Sequence, residues 1–488
     1  MINGNEKLKK WRKKDFARVI TYFAIHTTIL MVLFVFALFL SVDFDFSGAW
    51  QFTVNGGAGV PVYLVISICL LSAGIFLYFF FEDGNFLYEG KNVHLTFVIL
   101  EISLLTSFVV GKWRSVYARP FALCALLVLM TSNRRKAIFM NCITCILLFM
   151  SDAFVSVDLT VDKDLYASLV IGFITGIMAI YLLDGTGSRF KVLIYGLPIA
   201  LPVIAACMLL NVDLIPARWI EFLVDGVASG LLSVIFMTIW LPLFEEVFSV
   251  LTNYRLSELT DHKAPLIKAM IDNAPGTFNH SVALSTLAES CAPAIGENAL
   301  LARACAYYHD VGKLKNPEFF TENQMGKNLH DELSPELSTD IIRSHTKDGY
   351  DLIRKYHLPQ ILADVARQHH GTMPIRYFYA KAMKYTEGEL DIENFSYPGP
   401  KPQTKIAAII MIADGCEAKV RTLPERSHEK VDAAVREIIE ERMDLGQFDE
   451  CDITMSDLDI IRKTITNSLA GVYHDRVEYP KLRIGRRD

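Results

Sequence analysis

The chain has 488 residues, 52% of them hydrophobic and 21% charged, with a formal net charge of −6. Its positive mean hydropathy excludes a uniformly soluble protein. The negative balance, with no basic cluster in the second half, argues against a binder of nucleic acid polymers. The averages hide a split. Long apolar runs fill the chain to about residue 248, and a segment dense in Lys, Glu, Asp and His follows.

In chain order, residues 1–18 are a basic N-terminus carrying Lys7, Lys9, Lys10, Arg12, Lys13 and Lys14. The apolar run Val19–Val42 is long enough to span a bilayer and too long for a signal-peptide core, so it reads as a retained anchor with its basic flank in the cytoplasm. Further runs lie near 60–81, 93–111, 117–131, 137–154, 166–183, 190–210 and 227–244, giving about eight spans within 19–248. The fourth and fifth runs are so close that a tight hairpin or re-entrant pair is an alternative. An even count returns the chain to the cytoplasm and puts Arg134, Arg135 and Lys136 inside, as the positive-inside rule requires. One outer connector dissents, with Lys112, Arg114 and Arg119. Glu101 within a run and Asp225 at the head of another are costly in lipid; they read first as polar contacts between helices or as interfacial acids, with a ligand pocket or proton site as the functional alternative. Residues 43–59 read as a polar loop. The nine cysteines form no disulfide framework, and Cys142 and Cys145 sit in an apolar helix rather than a zinc site.

Residues 249–262 read as an amphipathic linker helix, with Leu251, Leu256 and Leu259 on one face. Residues 263–488 are sufficient for one domain with a full core, and its segments are helical. Thr277 is a candidate cap for a helix holding Leu284 and Leu287. The run Leu300–Tyr308 leads into His309-Asp310, with Gly312 as a helix stop. Similar patterns precede His345 and the doublet His369-His370, which Gly371 ends. The run Ile406–Ala413 ends in Asp414; its alanines, with Lys405 and Glu417 at its ends, favour a helix over a strand. Residues 385–404 read as a loop, and Val431–Arg442 and Leu458–Leu469 as helices. His330-Asp331 reads as structural, and His26 and His94 as packing or interface residues.

The candidate metal ligands are His280, His309, Asp310, His345, His369, His370 and Asp414. Imidazole and carboxylate donors without thiolates suit Zn, Mn or Fe. Seven donors exceed one ion, and two ions sharing a carboxylate use them economically, with Asp310 the natural bridge. Paired ions are a common device for phosphoester hydrolysis. Lys313, one turn from Asp310, is placed to neutralise a phosphate oxygen.

This pattern resembles the HD phosphohydrolase superfamily, and more closely its seven-transmembrane HD family of membrane cyclic di-AMP phosphodiesterases. The similar stretches are Asn273–Ser281, Tyr307–Lys313, Pro335–Ser338, Gln368–Thr372, Tyr397–Lys405, Ala413-Asp414 and Arg476–Pro480. The resemblance implies an all-α fold, a polytopic transmembrane helix bundle followed by a cytosolic all-helical HD domain, in a bacterial cell membrane. It implies a first metal held by His280, His309, Asp310 and Asp414. A second would be held by Asp310, His345 and His369, with His370 either a ligand or a phosphate contact. Two divalent ions, Mn or Fe, are the expected cofactors. Asp310, Lys313 and His370 are the expected catalytic residues, and cyclic di-AMP, opened to pApA, is the expected substrate. A hydrolase of another signalling nucleotide is the runner-up, although Gly371-Thr372-Met373-Pro374 lacks the Gly-Tyr-Pro signature of cyclic di-GMP hydrolases. A non-catalytic nucleotide receptor is a third reading. Besides substrate and lipid bilayer, the expectation leaves room for a homodimer. The family usually carries a large extracellular domain after its first span, whereas only residues 43–59 stand there in this sequence.

Overall fold

The structure, a computed structural model, describes residues 13–472 apart from 56–58, 83–86, 88–89, 156–162, 187–188, 213–214, 325, 327 and 386–388. Lys7, Lys9, Lys10, Arg12, Gly56, Gly57, Asp158, Asp162, His474 and the stretch Arg476–Pro480 therefore lie outside the described residues. Two units separate at Tyr254 and Arg255. Among the described residues the fold is all-α, with one isolated bridge between Pro374 and Ser396.

The first unit holds α1 (Lys13–Ser41), α2 (Phe46–Asn55), α3 (Gly59–Glu82), α4 (Gly90–Trp113), α5 (Leu123–Thr131), α6 (Arg134–Val155), α7 (Lys163–Leu183), α8 (Arg189–Leu210) and α9 (Ile215–Val247). Among the described residues six helices are long and apolar enough to cross a membrane, and the segments Val116–Thr131 and Ser168–Leu183 are shorter apolar helices. Large apolar side chains such as Leu70, Phe81, Leu201 and Leu209 are exposed on them, as lipid-facing positions require. The 117–131 run is only a nine-residue helix after a 3₁₀ turn, and Leu123–Val128 are all buried. Irregular backbone at Ser115–Ala122 is tolerated there because protein, not lipid, surrounds it. Residues 43–59 are not simply a loop, since α2 occupies most of them.

The dissenting cations of the sequence are all paired. Lys112 meets Asp43 at 2.8 Å, and Arg114 meets Asp225 at 2.7 Å. Arg119, buried on α5's approach, holds both oxygens of Asp152 at 2.7 and 2.8 Å and the Ser168 hydroxyl at 2.9 Å. Each of these cations thus has an acid from another segment as its partner.

The second unit holds α10 (Asn253–Leu259, begun in the first unit), α11 (Pro265–Asn273), α12 (Pro275–Ala294), α13 (Ala299–Tyr308), α14 (Pro335–Lys355), α15 (Gln360–Gln368), α16 (Arg376–Ala382), α17 (Lys405–Arg421), α18 (His428–Asp444) and α19 (Met455–Val472). At its centre lies α17, packed against α12, α13, α15, α18 and α19. Ile406–Ala413 are all buried, which erases any amphipathic period and explains why helix and strand were hard to separate there. The Thr404 hydroxyl caps its start by accepting from the Ala407 N–H, and the helix runs past Glu417 to Arg421.

Three local readings change. Leu251 precedes α10, while Leu256 and Leu259 are buried on it. Thr277 lies inside α12 and does not cap it; Pro275 opens the helix, and the distant Asn323 side chain accepts from the Gly276 and Thr277 N–H groups at 2.9 and 3.2 Å. Gly312 is not the stop of α13, which ends at Tyr308 before a 3₁₀ turn over Val311–Lys315. Its missing side chain serves a close approach instead: a Cβ there would fall 1.9 Å from the His345 carbonyl oxygen. Gly371 does end α15's turn, with φ of 53°.

Removing Arg119 strands a buried carboxylate. Arg119→Ala is expected to destabilise the membrane unit by about 3–5 kcal/mol, and Arg119→Met with Asp152→Leu to recover most of it. Thermal unfolding of the full chain in detergent reads both.

Candidate metal centre

Four helices and the turn after α13 bring the site together. His280 comes from the second turn of α12 and Asp414 from α17; His309 ends α13 and His369 ends α15, where exposed helix-end carbonyls stand ready to orient an imidazole. His345 lies on α14, held against the Asp310 turn by Gly312.

His309, His345 and His369 share one device. Each Nδ1 donates to the carbonyl three residues earlier: Ala306 at 2.7 Å, Ile342 at 2.6 Å and Ala366 at 2.8 Å. A carbonyl only accepts, so the proton of each neutral ring is fixed on Nδ1 and Nε2 is left as a lone pair. The Nε2 atoms of His345 and His369 face each other at 3.2 Å. Two lone pairs at that distance repel, and a shared cation relieves this.

Asp310 is 2% exposed, and its two oxygens face different neighbours. Oδ2 lies 2.7 Å from Lys313 Nζ, 3.2 Å from His309 Nε2 and 4.0 Å from His280 Nε2. Oδ1 lies 3.3 Å from His345 Nε2 and 3.5 Å from His369 Nε2. None of the histidine contacts to Oδ1 is aligned as a hydrogen bond, and both Oδ1 and His309 Nε2 are buried without one. Buried orphans of this kind are rare and fit a missing cation. The donor atoms fall into two groups, Asp310-His345-His369-His370 and His280-His309-Asp310, each within 4.8 Å of one another. Asp414 lies outside both groups, but its Oδ1 is 3.0 Å from His280 Nε2 and its Oδ2 is 3.8 Å from His370 Nδ1.

Electrostatics follow burial and pairing. Burial raises the cost of charge at Asp310, but the Lys313 ammonium beside it outweighs this and holds the carboxyl well below its usual range. Asp414 is likewise held low, burial being outweighed by His280. Burial lowers His345 to about 3 and drives His370 down as well, so both present neutral rings. His280 differs: its hydrogen bonds to Asp414 and Glu417 outweigh burial and raise it to about 10. Lys313 is held above its usual value against burial by Asp310 and by Glu322, whose Oε1 it also meets at 2.7 Å.

Two neighbours escaped the sequence reading. Glu417, one turn beyond Asp414 on α17, accepts from His280 Nδ1 at 2.9 Å and is itself paired with Arg421. The Asp-x-x-Glu spacing, which puts both acids on one helix face, was the available signal. Tyr397 stacks under His370 at 4.3 Å, from a loop with no periodicity to reveal it. His330 takes the structural place expected of it, bonded through Nε2 to the Phe319 carbonyl at 2.9 Å. A cavity of about 280 Å³ opens beside His369 and His370, lined also by Tyr397, Arg376, Glu441 and Arg442.

Residues 60–252 match the family described as a 7TM receptor with intracellular HD hydrolase, and residues 277–419 match the HD domain family. The cyclic-di-AMP phosphodiesterase PgpH of Bacillus subtilis is 37% identical over 429 residues, covering 86% of this chain and 60% of that protein. PgpH of Listeria monocytogenes is 48% identical over 241 residues, covering 49% of this chain and 33% of that protein. The chain thus spans about three fifths and one third of these two relatives. The solved HD domain of L. monocytogenes PgpH in complex with cyclic-di-AMP is 48% identical, covers 44% of this chain and 100% of its own, and has a TM-score of 0.42. An HD hydrolase domain implies divalent metal binding, for which the His/Asp cluster is suited. The two matches stand in order along the chain, a 7TM-type membrane region with apolar helices long enough to span a bilayer followed by an HD domain.

Proposed function

We propose that this chain is a metal-dependent phosphodiesterase that hydrolyses cyclic di-AMP to linear pApA at the cytoplasmic face of a bacterial cell membrane. The observation that carries it is Asp310, whose two oxygens face two separate groups of imidazole nitrogens. His280, His309, Asp310 and Asp414 would hold one divalent ion, and Asp310, His345 and His369 a second. The N and O donors favour Mn or Fe. Such ions, when bound, neutralise phosphate oxygens and make water nucleophilic near neutral pH.

The chain's own groups do the rest. Lys313 keeps Asp310 ionised and adds positive charge where a phosphate oxygen would lie. His370, partly open and braced on Tyr397, is placed to contact that phosphate or to complete the second ion's shell. Water adds to one phosphorus, the bond to the 3′ oxygen breaks, and that oxygen leaves as a hydroxyl, giving pApA. The choice of cyclic di-AMP rests on likeness to the PgpH phosphodiesterases. We keep 1–18, 19–248, 249–262 and 263–488 as the working segments, with the N-terminus and HD domain cytoplasmic; the split of the chain near Tyr254 supports that map.

The full chain loaded with Mn should linearise cyclic di-AMP in preference to cyclic di-GMP. His309→Ala and Asp310→Ala should each remove metal content and turnover together, and turnover without these groups would contradict the assignment. Glu417→Ala, which frees the far side of His280, should weaken metal binding about 10–100-fold, read by metal titration.

A further inference from the structure

The first unit carries a chain of titratable groups that the hydrolase reading does not use. His26 on α1 donates or accepts on both sides: Nδ1 meets Glu101 Oε1 at 2.8 Å, and Nε2 meets His94 Nδ1 at 2.9 Å. His26 is 3% exposed and the Glu101 side chain 12%. His26 and Glu101 stand near the midpoints of α1 and α4, whereas His94 is in the second turn of α4 and half buried. A linear carboxylate–imidazole–imidazole array therefore runs from mid-span toward one helix end.

The surroundings are aromatic. Phe97 stacks on His26 at 4.9 Å, Tyr22 lies against His94 at 4.0 Å, and Phe23 packs on Phe97 and on Phe76 of α3. The other titratable side chains of the packed helices are engaged elsewhere or nearer the ends. Glu82 of α3 pairs with Arg135 of α6 at 3.2 Å, and Arg134 with Asp184 at 3.4 Å. Asp152 is held by Arg119, and Tyr78 stacks on Phe139. Lys136 lies in the first turn of α6; Arg18 and Lys91 precede His26 and His94 toward the helix starts, and Lys112 lies at the far end of α4 beside Asp43. Tyr117 lies beyond α4, on the side of Asn211.

The two hydrogen bonds allow two proton counts. In one, His94 Nδ1–H donates to His26 Nε2 and His26 Nδ1–H donates to an ionised Glu101, for a net charge of −1. In the other, one more proton has entered at His94 Nε2, the Nδ1 proton has passed to His26 Nε2, and His26 now donates on both sides. Net charge is then zero, and neither hydrogen bond has been broken. An unpaired acid at mid-span is costly, and an added proton removes that cost without separating the helices.

We propose that Glu101, His26 and His94 form a proton-accepting relay in the membrane half, which takes one proton at His94 and holds it on His26 beside Glu101. Its presence makes the α1–α4 contact responsive to the proton concentration on the His94 side, independently of the metal centre.

The full chain in lipid nanodiscs, with ¹⁵N-labelled histidine, is titrated from about pH 8 to about pH 5, the range in which imidazole changes charge. His26 should become doubly protonated while the infrared carboxylate band of Glu101 persists. Glu101→Gln should abolish this uptake, and His94→Phe should slow it. A Glu101 carboxylic-acid band throughout, beside a neutral His26, would overturn the relay and leave a static polar strut; an unchanged uptake rate in His94→Phe would overturn the entry route. The wild-type spectra decide the first point even if Glu101→Gln fails to fold.

Discussion

A carboxylate sealed from water with a lysine and four imidazoles around it must be compensated from several directions at once. Asp310 is that group, and the second unit is built around satisfying it. Lys313 supplies a fixed positive charge at 2.7 Å. His280 bonds to the carboxylates of Asp414 and Glu417, while His309, His345 and His369 supply nitrogens whose protons have been sent to backbone carbonyls on the far side. That arrangement leaves lone pairs, not donors, aimed at the carboxylate. The orphaned Asp310 Oδ1 and His309 Nε2 and the facing nitrogens of His345 and His369 are donor atoms suited to divalent cations. Gly312 and Gly276 make the approach of the supporting segments tight enough, since a Cβ at either would collide with a backbone oxygen at 1.9 Å.

The membrane half obeys the same rule with different means. Its buried charges are matched pairwise: Arg119 with Asp152, Arg114 with Asp225, and Glu101 through His26. In a solvent that cannot hydrogen-bond, such pairs set which helices can be neighbours. They also give the cations of 112–119 partners from other segments.

Much of this was legible in the sequence. The apolar runs, the helical patterns before His309, His345 and His369, and the seven donor residues could be read because each is a local signal. Of those donors His309 and His369 stand at helix ends, whereas His280, His345 and Asp414 lie within helices. What escaped was long-range. Asn323 capping α12, Glu417 orienting His280, Tyr397 under His370 and Glu322 sharing Lys313 all join residues that no periodicity connects. Gly312 was read as a stop because a glycine after a helix usually is one, yet its place is dictated by the backbone of α14. His26 and His94 looked like isolated polar residues in apolar runs; only the register of α1 against α4 shows that they complete a chain with Glu101.

The central claim is that Asp310 stands between two metal ions. Anomalous scattering from crystals of the chain grown with Mn tests it directly. The account predicts two peaks, roughly 4 Å apart, one on each side of the Asp310 carboxylate. One would lie toward His280 and His309, the other toward His345 and His369. A single peak, or peaks remote from Asp310, would contradict it.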